Sequence, residues 1–92
     1  MKQCLVITFS IDMPNGFLRS FVQKNAMKFS LEGTVQQLDG KKVRINACGN
    51  REDIDNFIDL LYKQSTKTKL DQIEMEPLLP VKDFRGVFRV IE

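Results

Sequence analysis

Histidine is absent from this 92-residue chain, and cysteine occurs only twice, as Cys4 and Cys48. Without an imidazole there is no serine or cysteine triad, so any catalysis must rest on arginine, lysine, carboxylates, amide side chains or backbone N–H groups. Two cysteines alone cannot supply the three or four ligands that zinc sites use, so no metal or cofactor is expected. Long hydrophobic runs are missing too. No stretch approaches the roughly 20 apolar residues of a membrane span. The opening residues 1–10 carry one lysine and a short apolar stretch broken by Thr8 and Ser10, with no small-residue cleavage site. That pattern predicts a cytoplasmic protein with no membrane partner. An excess of one charge is also lacking: 14 basic against 12 acidic residues leave a net charge of +2. That is too little for binding that neutralises many phosphates, so nucleic acid is not an expected partner. What remains is ordinary globular composition, 42% hydrophobic and 28% charged. Residues 1–92 therefore read as a single domain.

Leu5, Ile7, Phe9 and Ile11 alternate with Cys4, Val6, Thr8 and Ser10, the period of a strand with one buried face. Residues 12–16, Asp-Met-Pro-Asn-Gly, break it with turn formers. Leu18, Phe21, Val22, Ala26 and Phe29 then recur at three and four, opposite Arg19, Gln23, Lys24 and Lys28, and predict an amphipathic helix. Residues 31–38 and 42–48 read as antiparallel strands joined at Asp39-Gly40. Asn50, with Asp53 three residues on, suits the N-cap of a second helix striped by Ile54, Phe57, Ile58 and Leu61. Residues 64–69 form a loop, and residues 70–75 a short extended segment. Pro77 and Pro80 exclude a central strand there. Residues 86–91 close the chain as a strand.

The order β-α-β-β-α-β has a favoured solution, because each crossover must be right-handed. It predicts an α+β, ferredoxin-like two-layer sandwich: a four-stranded antiparallel sheet with both helices on one face. The first and third strands then lie side by side at its centre. The turn after Ile11 falls near the hairpin that starts the third strand.

That turn opens a helix at Gly16-Phe17-Leu18-Arg19. Open N–H groups and the helix dipole favour an anion at such a place, and an arginine can add a bidentate contact. A solvated arginine at an ordinary helix start is the plainer alternative. Here the residues meet a family. Phe17-Leu18-Arg19, Gly33-Thr34-Val35-Gln36-Gln37 and Lys41-Lys42-Val43-Arg44-Ile45-Asn46-Ala47-Cys48-Gly49 lie in register with it. With Asn50-Arg51-Glu52-Asp53 and the closing Phe88-Arg89-Val90-Ile91, they resemble the acylphosphatase family over essentially the whole chain. The resemblance implies an acyl-phosphate hydrolase site in which backbone amides and one arginine cradle phosphate while an asparagine on the second strand positions water. No histidine or metal is required by it.

Carried across by position, Arg19 falls on the phosphate-binding arginine, with Leu18 at the preceding aromatic position, and Gln37 falls on the asparagine. The amides of Asn15, Gly16, Phe17 and Leu18 complete the implied anion site. The family's Gly-basic-Val-Gln-Gly run corresponds to Ile11-Asp12-Met13-Pro14-Asn15, which matches it nowhere. Pro14 lacks an N–H and Asp12 brings negative charge. Loss of one preorganised donor costs roughly 100- to 1000-fold in rate. The resemblance thus implies a site that binds phosphate or an acyl phosphate but turns over weakly or not at all. A ligand-free interaction domain, dimerising through an edge strand such as residues 31–38 or 87–91, is the alternative from a different class. A fully active acylphosphatase is the third reading.

Other groupings are read plainly. Cys4 and Cys48 share a parity and become neighbours on the outer sheet face, where reduced thiols are expected of a cytosolic protein and a redox pair is the sharper alternative. Lys2, Thr8, Ser10, Lys42, Arg44 and Asn46 on that face include no aromatic on which an RNA base would stack. Asp55 and Asp59 read as a solvated helix face.

Overall fold

The computed structural model describes residues 2–12, 16–67 and 69–91. Its elements are β1 (Lys2–Ile11), a π-helical segment Leu18–Gln23 continuing into α1 (Lys24–Lys28), β2 (Glu32–Gln37), β3 (Lys42–Asn50), α2 (Arg51–Ser65), β4 (Leu70–Pro77) and β5 (Phe88–Ile91). The sheet order is β4-β1-β3-β2-β5. β1 and β3 form the expected antiparallel centre, with Ile7 opposite Ile45 and Phe9 opposite Val43. These inward side chains form one core with Val22 and Ala26 of the first helical stretch and Ile54, Phe57 and Leu61 of α2. The two-layer ferredoxin-like sandwich is therefore present. No helix among the described residues is long and apolar enough to cross a membrane.

Two features differ from the four-stranded expectation. The extended segment after α2 is a full strand, β4, pairing with β1 at one edge of the sheet. Pro77 is tolerated because it is the last residue of an edge strand, where no ladder donor is required. The closing strand lies at the opposite edge as β5, parallel to β2, which makes the sheet mixed and five-stranded. β2 is consequently an interior strand between β3 and β5, so residues 31–38 offer no edge for a partner. To connect β4 with β5, residues 78–87 must pass from one side of the sheet to the other. They form a strap held at both ends: Leu78 N–H donates to the Cys4 carbonyl at 2.9 Å, and Gly33 N–H donates to the Val87 carbonyl at 2.9 Å.

The local signals act as their chemistry dictates. Asn50 caps α2, its side-chain oxygen accepting from Asp53 N–H at 2.8 Å, and Glu52 and Asp53 complement the dipole in the first turn. Gly40, at φ +66°, supplies the left-handed residue that turns β2 into β3. Cys4 and Cys48 are not reduced thiols: they form a disulfide. The antiparallel register sets them directly opposite each other, with Cα atoms 4.1 Å apart.

Candidate functional site

β1 delivers the chain to the candidate site at Ile11, whose buried side chain belongs to the core. Its N–H donates to the Lys41 carbonyl at 2.9 Å, fixing the end of β1 against the β2–β3 hairpin. Asp12 follows, and its carboxylate accepts from the Lys41 ammonium at 2.8 Å. Both groups are exposed. The hydrogen bond and the attraction between opposite charges hold the Asp12 carboxyl below its ordinary 3.8 and the Lys41 ammonium above its ordinary 10.5. Asp12 thus enters the turn as a neutralised partner of the hairpin. Met13, Pro14 and the predicted anion ligand Asn15 lie outside the described residues.

Gly16 resumes the chain at φ +82°, a conformation that favours glycine, and its carbonyl accepts from Ser20 N–H at 2.7 Å. Phe17, Leu18 and Arg19 follow in the first turn of the helical stretch. Phe17 and Leu18 are buried, whereas Arg19 and Ser20 are exposed. Phe17 stacks on Phe21 with ring centroids 4.9 Å apart and meets Phe9 edge-on at 6.3 Å. Three aromatic rings therefore anchor the turn from beneath and leave Arg19 on its solvent side. The π-helical winding over Leu18–Gln23 gives no sequence signal, since the apolar positions Leu18, Val22 and Ala26 suit either winding.

Gln37 is the last residue of β2 and pairs with Val43 across the hairpin. Its amide nitrogen donates to the Gly40 carbonyl at 3.1 Å, within its own hairpin. The structure brings Asp12, Lys41, Gly40 and Gln37 together at the sheet end from which the turn to Arg19 departs. Lys41 was not singled out by sequence reasoning. Its signal was the strand register, which sets Ser10 opposite Lys42 and hence Asp12 near Lys41. No group of three or more Cys, Asp or Glu side chains among the described residues could hold a metal ion.

Known proteins share this chain's sequence pattern and fold. The acylphosphatase family model matches residues 15–90. An acylphosphatase of Caldivirga maquilingensis is 34% identical over 82 residues, covering 88% of this chain and 85% of that protein. The solved structure of an acylphosphatase from Coxiella burnetii superposes with a TM-score of 0.83 at 28% identity, covering 98% of this chain and 93% of the other. That of Bacillus subtilis acylphosphatase superposes with a TM-score of 0.84 over the whole of both chains at 23% identity, a likeness of fold. With the family's sequence pattern running from the turn at Gly16 through β5, the chain belongs to the acylphosphatase family.

Proposed function

We propose that this protein binds a small oxyanion, phosphate or the phosphoryl group of an acyl phosphate, at the turn from β1 into the first helical stretch, and hydrolyses acyl phosphates weakly or not at all. In this reading Arg19 supplies the charged contact and the backbone N–H groups of Gly16, Phe17 and Leu18 the neutral ones, with Asn15, outside the described residues, a further donor expected from the sequence. The leaving group of an acyl phosphate is a carboxylate, stable as an anion at neutral pH, so its departure needs no general acid. A histidine-free site is chemically adequate for that step. The demanding part is holding water in line with the P–O bond that breaks, the task the family gives to an asparagine.

The observation that carries the reading is Gln37. Its side chain is one methylene longer than asparagine, and one of its amide N–H groups is directed to the Gly40 carbonyl at 3.1 Å. A misplacement of about 1 Å costs on the order of 100-fold in rate. The test is hydrolysis of benzoyl phosphate by the wild type, Arg19→Ala and Gln37→Asn, beside an active acylphosphatase, with phosphate binding followed by calorimetry. The wild type should bind phosphate and turn over at least about 100-fold slower than the active enzyme. Arg19→Ala should lose binding, and Gln37→Asn should gain rate without gaining affinity. Wild-type turnover equal to the active enzyme refutes the weakened site. Absence of phosphate binding refutes the anion site itself. A second reading, a ligand-free interaction domain, draws on exposed Val87 and Ile91 beside and within the edge strand β5. A concentration-dependent dimer in sedimentation, with no phosphate binding, would favour it.

A further inference from the structure

The Cys4–Cys48 disulfide sits apart from everything described so far. Its residues belong to the two central strands but face away from the helices, opposite in parity to Ile7, Phe9, Val43 and Ile45, and neither joins the core cluster. An outer face of a two-layer sandwich is ordinarily open to water, yet Cys4 is 4% and Cys48 0% exposed. The strap provides cover: the Cys4 sulfur lies 3.7 Å from the Lys82 carbonyl. In the disulfide that sulfur carries no hydrogen, so the approach is a packing contact. After reduction the same distance suits a weak S–H donor.

The cover itself is thin. Leu79 and Val81 are 76% and 48% exposed. Beyond its two backbone ends, the strap is held by polar contacts gathered on one carboxylate: Glu32 accepts from Phe84 N–H and from the Lys2 ammonium, the latter at 3.1 Å. Lys2 also reaches Asp83 at 3.7 Å. Segments with few buried apolar contacts open well before the core does. Thiol–disulfide exchange requires a thiolate to reach a sulfur directly, so the frequency of strap opening sets its rate.

We propose that Cys4–Cys48 is a redox site for small thiol or dithiol reductants, guarded by the strap at residues 78–87, whose latch is Glu32 with Lys2. The reaction is exchange: two reductant thiols become one disulfide while the Cys4–Cys48 bond becomes two thiols, the first attack passing through a mixed disulfide. Reduction removes the tie between β1 and β3 beneath the strap and loosens the strap in turn. The anion site lies at the other end of β1, seven residues away or roughly 24 Å along the strand, so it is spared.

The experiment uses the full chain purified in air, with thiols counted before and during exposure to dithiothreitol, and folding verified by circular dichroism. No free thiols should be present at the start. Glu32→Ala should be reduced about tenfold faster than the wild type, and Lys2→Met several-fold faster, while Arg51→Met, whose ion pair lies on α2, should match the wild type. If Glu32→Ala does not fold, Lys2→Met decides. Trypsin should cut after Lys82 or Arg85 faster in the reduced than in the oxidised protein. Two free thiols at the start, reduction rates indifferent to Glu32 and Lys2, or cleavage indifferent to redox state would each overturn the proposal.

Discussion

Gly33→Ala should unfold this protein more readily than any other single glycine replacement among the described positions. Gly33 is buried in β2, between Ala47 of β3 and Phe88 of β5, with φ at +145°. A Cβ built there would stand 1.7 Å from the Asn46 carbonyl oxygen and 2.8 Å from its carbon. Carbon–oxygen contacts begin near 3.3 Å, so the backbones of β2 and β3 would have to part by about 1.6 Å locally. A ladder hydrogen bond of about 2.9 Å stretched by that amount is no longer a bond. Loss of two or three such bonds at about 1 kcal/mol each, with about 1–3 kcal/mol for the backbone conformation, gives roughly 3–6 kcal/mol. That is a large share of the stability of a typical domain, about 5–15 kcal/mol.

The assay is urea denaturation followed by circular dichroism, with Gly40→Ala as the control. Gly40 also has positive φ, +66°, but an added Cβ there meets nothing within 4 Å. Gly40→Ala should therefore cost only the left-handed penalty, about 1–2 kcal/mol. A Gly33→Ala loss no larger than that of Gly40→Ala would refute the close-approach argument, because conformation alone would then explain both.

Two smaller perturbations probe the ends of elements. Asn50→Ala removes the acceptor for Asp53 N–H and should cost about 1 kcal/mol in urea, with Asn50→Asp restoring it; equal stability of all three proteins would contradict the cap. Lys41→Met should return the Asp12 titration, followed by carbon NMR, upward toward 3.8. Because the folded-state pKa of Asp12 is depressed, its contribution to stability is present above 3.8 and fades as the pH falls below it. Lys41 is raised, so its contribution is complete below 10.5 and fades as the pH climbs past that value. An Asp12 midpoint unchanged in Lys41→Met would sink the pairing.

Periodicity carried the central half of the fold, because each inward position there is decided by local alternation. Ile7, Phe9, Val43 and Ile45 could face only one way, and the hairpin at Gly40 and the cap at Asn50 mark their boundaries with distinctive chemistry. The two sheet edges were harder. β4 presents Asp71, Gln72, Glu74 and Glu76 outward, as edge strands do, and so lacks the hydrophobic density that announces a strand. β5 spans only Phe88–Ile91, and its parallel pairing with β2 is decided by where the strap lands, a long-range fact with no local signature. The disulfide follows the same rule. Parity placed both cysteines on the outer face, but general redox expectations argued for thiols, and only the strap over that face explains their burial.

The site divides along similar lines. The exposure of Arg19 was legible because Leu18, Val22 and Ala26 turn inward and leave position 19 outside. Gln37 was legible as a departure by position, but its engagement with Gly40 depends on a side-chain torsion at a hairpin end, which no spacing encodes. Among the residues that carry the family resemblance are some that the backbone itself requires. Gly33, for instance, is required by the approach of Asn46, whatever chemistry the protein performs. Asp12 and Gln37 are exposed, and changing them disturbs no core. Packing therefore constrains Gly33 and Ile45 independently of whatever chemistry runs at Asp12 and Gln37. A family match over residues 15–90 is thus compatible with the proposed site, which binds phosphate but hydrolyses its mixed anhydrides with carboxylic acids weakly, and the rate gained by Gln37→Asn measures how far fold and turnover have separated.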